Sequence, residues 1–169
     1  MITIRYAGLV ALAMMTAALT ACGMAHTSVT TPASNLTAVK QVALRPVQVS
    51  SAEQNADAAA LNEEFRQMAL SELQSLMASK GIVTSPTADS KVGCNIDVTY
   101  GNRALRYFVG FGAGAWHVKI HTELTDGSGA VRYATNTEAD LAVGGFGGDM
   151  SSVVRDAVRD AMKEFSAGF

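Results

Sequence analysis

The sequence predicts an α+β fold: a mainly antiparallel four- or five-stranded sheet with two helices packed on one face. Three observations predict it. Two stretches, 56–79 and 150–165, repeat apolar residues at three- and four-residue steps, the period of a helix with one buried side. Two more, 91–100 and 116–124, alternate apolar with polar or small residues, the period of a strand with one wet face. Asp126-Gly127-Ser128-Gly129 then marks a tight reversal into a return strand.

The chain opens with Arg5 and an apolar run from Tyr6 to Leu19. That profile predicts a secretory signal, because the run falls short of the roughly 20 residues a spanning helix needs. It ends in Leu19-Thr20-Ala21-Cys22, which resembles a bacterial lipobox. Cleavage before Cys22 and diacylation of its thiol are what the resemblance implies, and several acyl chains together anchor stably. Gly23 follows where an aspartate would favour the inner membrane, so a periplasm-facing lipoprotein of the bacterial outer membrane is expected. Three segments result: signal peptide 1–21, lipidated cysteine and flexible tether 22–37, and one α+β domain 38–169. The tether reading rests on a composition of threonine, serine, asparagine and proline with few large apolar residues.

Removing 21 residues from 169 leaves 148, enough for one domain with a sizeable core. Arg5 leaves with the signal, so 12 basic side chains face 15 acidic ones, net −3. No basic run is present, which argues against nucleic acid as a partner. With Cys22 acylated, Cys94 is the remaining thiol, placed on the apolar face of a strand as a small hydrophobe.

The first strand is expected over 38–49, with Pro46 where the alternation changes phase, so a bulge or an edge is expected there. Ser50 and Glu53 fit a capping box. In the following helix Leu61, Phe65, Met68, Ala69, Leu73, Leu76 and Met77 form the apolar stripe, and Lys80-Gly81 ends it. A short strand at 82–84 and a loop at 85–90 lead to the clearest strand, with Val92, Cys94, Ile96, Val98 and Tyr100 on one face. Trp116, Val118, Ile120, Thr122 and Leu124 line the next, opposite His117, Lys119, His121 and Glu123. The return strand, 130–143, is looser. Asp149 caps a last helix whose outer face carries Arg155, Asp156, Arg159, Asp160, Lys163 and Glu164.

Two glycine clusters punctuate this scaffold. Gly110, Gly112 and Gly114 follow Arg103, Arg106, Tyr107 and Phe108 and enclose Phe111; Gly144, Gly145, Gly147 and Gly148 enclose Phe146. The hairpin folds one cluster back beside the other, at one end of the sheet. Aromatics and arginine are enriched at interface hot spots, and glycine permits close backbone approach. Arg103, Arg106, Tyr107, Phe108, Phe111 and Phe146 are therefore the candidate interaction residues, with Gly110, Gly112, Gly114, Gly145 and Gly147 as loop glycines.

From Gly101-Asn102-Arg103 through Arg106 to Gly110-Phe111-Gly112-Ala113-Gly114 the chain resembles a family of bacterial lipoproteins known only as domain of unknown function 4410. The resemblance implies an envelope lipoprotein with a compact α+β domain and carries no catalytic residue with it.

The chemical signals are spare. Gly110-x-Gly112-x-Gly114 lacks the G-x-G-x-x-G spacing and precedes a strand, so no nucleotide fingerprint is present. His117 and His121 stand about 13 Å apart along a strand, whereas two ligands of one zinc each lie about 2 Å from it. No nucleophile motif or carboxylate pair stands out. The expectation is a non-enzymatic module without cofactor, metal or catalytic site, meeting an envelope protein or its own copies through the glycine loops. The alternative is a binding module for a small periplasmic glycan or peptide.

Overall fold

A computed structural model describes residues 25–33, 36–52, 56–99, 116–141 and 150–169. The helical period at 56–79 is realised as α1 (Ala56–Ser79), whose buried residues Phe65, Ala69, Leu73 and Met77 recur every four positions. Gly81 ends it at φ 68°, a left-handed conformation that costs glycine nothing. The Gly81 N–H donates to the Ala78 carbonyl at 3.0 Å and the Ile82 N–H to the Met77 carbonyl at 2.9 Å. These are the paired bonds of a Schellman ending, and Met77 and Ile82 both lie in the core. Glu53 of the expected capping box lies outside the described residues.

The second helix, α2 (Met150–Ser166), buries Val154, Ala157, Val158, Ala161, Met162 and Phe165 and exposes the six charged residues expected on its outer face. Arg159 Nε reaches across to Glu72 Oε1 of α1 at 3.1 Å. Such an exposed pair adds little stability; the shared apolar cluster holds the helices together. Beneath α2, Tyr133 stacks on Phe165 with ring centroids 5.2 Å apart, and Phe169 meets Phe165 edge-on at 5.5 Å.

Among the described residues the sheet has seven strands: β1 (Ala25–Thr31), β2 (Gln41–Leu44), β3 (Gln48–Ser51), β4 (Val83–Thr84), β5 (Lys91–Thr99), β6 (Trp116–Thr125) and β7 (Val131–Leu141). They lie in the order β1-β7-β6-β5-β2-β4, with β3 also paired to β5. The expected four or five mainly antiparallel strands are thus corrected to a seven-stranded mixed sheet. β1/β7, β7/β6 and β6/β5 are antiparallel, whereas β2 and β3 run parallel to β5 and β4 runs parallel to β2.

Two features account for the difference. The single strand expected at 38–49 is divided by Arg45-Pro46-Val47: from Leu44 to Gln48 is four steps, while their partners Val92 and Asn95 are three apart. One extra residue is accommodated where proline cannot donate to the ladder, so the expected bulge is present. The second feature is β1. Residues 25–31, read from composition as part of a flexible tether, form an edge strand paired with β7 from Ala25↔Ala139 to Thr31↔Ala134.

One face of the sheet meets the helices. Val92, Cys94, Ile96 and Val98 of β5 and Val118, Ile120, Thr122 and Leu124 of β6 are buried, as the alternation predicts. Tyr133, Thr135, Thr137 and Ala139 continue that layer on β7, while Val131 is exposed. With Phe65, Leu73, Met77, Val154 and Phe165 they make one contiguous core.

Candidate functional site

Strand register brings distant parts of the chain to one end of the sheet. Thr99 at the end of β5 pairs with His117, and Trp116 at the start of β6 pairs with Leu141 at the end of β7. Ser51, ending β3, lies opposite Val98, and Ala25, starting β1, lies opposite Ala139. At this one end, therefore, segment 100–115 follows β5 and precedes β6, and segment 142–149 follows β7 and precedes α2. Arg103, Arg106, Tyr107, Phe108, Phe111, Phe146 and the loop glycines Gly110, Gly112, Gly114, Gly145 and Gly147 all lie outside the described residues. The described strands show that Thr99, Trp116 and Leu141, which flank these segments, lie at one end of the sheet.

The sheet face away from the helices is polar. Its pairings form rows: Ser50–Asp97–Lys119–Glu138–His26, and beside it Gln48–Asn95–His121–Asn136–Ser28. Within them Lys119 Nζ lies 3.2 Å from Glu138 Oε1, and the Ser50 hydroxyl bonds Asp97. His117 Nδ1 bonds Asp140, while His121 Nδ1 lies 2.6 Å from Asn136 Oδ1 and its Nε2 3.5 Å from Glu123 Oε2. The chain's three histidines share this face, and His117 and His121 have separate partners. Among the described residues no three His, Cys, Asp or Glu side chains gather as a metal site. Arg45, at the β2–β3 break, lies over Gly93 and donates to Glu123 Oε1 at 3.0 Å and to the Thr125 hydroxyl at 2.7 Å.

The opposite end of the sheet is closed by the Asp126 turn. Asp126 Oδ1 accepts from the Ser128 hydroxyl at 2.6 Å, the Ser128 N–H at 2.9 Å and the Ala130 N–H at 3.1 Å. The Ser128 hydroxyl foremost, with these amides and nearby Arg132, holds the carboxyl below the usual aspartate range. Beside the turn opens a cleft of about 460 Å³ lined by Leu36, Lys40, Thr87, Asp89, Asp126 and Arg132. The sequence reading missed it because its walls come from a 3-10 turn (Leu36–Ala38), a loop and a hairpin far apart in the chain.

An open mixed sheet covered on one face by two helices defines the class: a two-layer α+β domain. The chain belongs to the family described as Domain of unknown function (DUF4410), whose model matches residues 27–145. No curated protein matches the sequence. Among solved structures the chain is similar to the PelC dodecamer from Paraburkholderia phytofirmans, with 15% identity and a TM-score of 0.53, covering 85% of this chain and 98% of that one. It is also similar to a homolog of the neuraminyllactose-binding hemagglutinin from Helicobacter pylori, with 8% identity and a TM-score of 0.52, covering 81% of this chain and 87% of the other. At these identities the likeness concerns the fold.

Proposed function

We propose that the protein is a non-enzymatic cell-envelope lipoprotein, anchored in the outer membrane by lipid on Cys22 and facing the periplasm. It works as an assembly module that meets an envelope protein or its own copies at the end of the sheet from which both glycine-rich segments leave. The observation that carries this reading is the pairing of Thr99 with His117 and of Trp116 with Leu141, which brings the flanks of both segments together. The dodecameric state of the P. phytofirmans PelC, which has a similar fold, supports self-association. Replacing Phe111 and Phe146 together with serine is expected to abolish higher-order species in sedimentation velocity and co-purification of partners, with far-UV circular dichroism unchanged. Complexes that survive the double substitution reject the proposal.

The cleft beside the Asp126 turn supports a second reading, a binding module for a small glycan or peptide, since its volume falls in the range of ligand pockets. It lies at the end of the sheet away from Thr99 and Leu141, and its lining includes Lys40, Arg132, Asp89 and Asp126. Peptidoglycan stem peptides titrated into the protein should then shift the amide resonances of Lys40, Asp89 and Arg132 in a saturable way. Unmoved resonances at millimolar peptide dismiss this reading.

A further inference from the structure

The described chain enters the fold at one end of the sheet. β1 starts at Ala25, and its first pairing, Ala25↔Ala139, lies two residues from the last pairing of β7, Trp116↔Leu141. Only Gly23 and Met24 separate Ala25 from Cys22. Three steps of extended chain reach about 10 Å. The fifteen-residue tether expected from composition would have reached about 50 Å and left the domain free to turn.

Strand length sets the other dimension. β5 runs nine residues from Lys91, beside the Asp126 turn, to Thr99, a span of about 27 Å. A lipid held about 10 Å from Ala25 therefore reaches the Thr99 end of the sheet and cannot reach the Asp126 end. Lying flat on the polar sheet face is opposed by the charges there. Asp97, Lys119, Glu138 and Asp140 are exposed, and stripping water from charged groups is costly.

We propose that the sheet end formed by Ala25, Thr99, Trp116 and Leu141 docks on the lipid surface, with the strands standing upright and the Asp126 turn and its cleft pointing away from the membrane. This rests on the reading of Cys22 as the lipid anchor. It makes the end that carries the flanks of the glycine-rich segments the membrane-proximal one. Copies gathered there would meet side by side at the bilayer surface.

Single cysteines test it in the full acylated chain, with Thr99→Cys and Ala130→Cys as exposed positions at the two ends. Cys94 is buried and its thiol is pushed up to about 11 by desolvation, so a maleimide dye marks the introduced thiol alone. Each labelled protein is reconstituted into phosphatidylethanolamine–phosphatidylglycerol vesicles containing a headgroup-nitroxide lipid. The dye at Thr99→Cys should lose most of its fluorescence and the dye at Ala130→Cys almost none. A flexible insert of about 20 Gly/Ser residues between Met24 and Ala25, with an r.m.s. reach of about 25 Å, should bring the two signals together. Equal quenching without the insert, or stronger quenching at Ala130→Cys, overturns the orientation. Intact mass of the mature protein separates the two readings: acyl chains on Cys22 with reversed quenching sink the orientation alone, whereas an unacylated cysteine sinks both.

Discussion

Cys94 lies on the inner face of β5 between Val92 and Ile96, with the Thr122 hydroxyl 4.0 Å from its sulfur. Desolvation outweighs that contact and raises the thiol from 9.0 to about 11. In the folded protein near neutral pH, Cys94 is expected to stay unmodified by maleimide and to react at once in guanidinium. Rapid native-state modification would contradict the burial that defines this layer. The sign of the linkage follows: the folded value is raised, so its contribution to stability is complete below 9.0 and is lost as pH climbs toward about 11. The alternation of Val92, Cys94, Ile96 and Val98 made this face legible, because a strand buried on one side must place every second residue there. Thr135 and Thr137 were not legible. Both are buried on β7, yet threonine reads as polar. The Thr137 hydroxyl lies 2.7 Å from that of Thr27 on β1, so its partner belongs to a strand the sequence did not announce.

That strand is the main lesson at the scale of elements. His26-Thr-Ser-Val-Thr-Thr31 has the composition of a linker, and Val29, its one large apolar residue, is 57% exposed. An edge strand buries little, so it leaves little hydrophobic period to read. Its pairing comes from β7, which no local signal reveals. α1 and α2 were legible for the opposite reason: each buries a continuous row, and the row is the signal. Pro46 was legible as an irregularity, though its result, two short strands parallel to β5, depends on α1 returning the chain to β4 at the far edge. For the candidate interaction surface, residue type and the Asp126 reversal were legible in the sequence, and the described strands add the common end at which Thr99, Trp116 and Leu141 lie.

Across the whole molecule, the proposed orientation rests on one pairing, β1 with β7. β1 begins at the Thr99–Trp116–Leu141 end, and the cleft lies beside the Asp126 turn at the other. A slip of β1 by one residue would turn His26 from the polar face to the core. The register therefore bears the account, and cross-strand chemistry measures it. His26 and Glu138 are Cα partners on adjacent antiparallel strands, a separation of about 4.5–5.5 Å that falls within the range a disulfide spans. The pair His26→Cys/Glu138→Cys should oxidise nearly completely in air, read as the mass change and the loss of two free thiols, while His26→Cys/Asn136→Cys, offset along β7, should remain reduced. Equal oxidation of the two pairs, or none in either, would mean that residues 25–31 are not held against β7 as described.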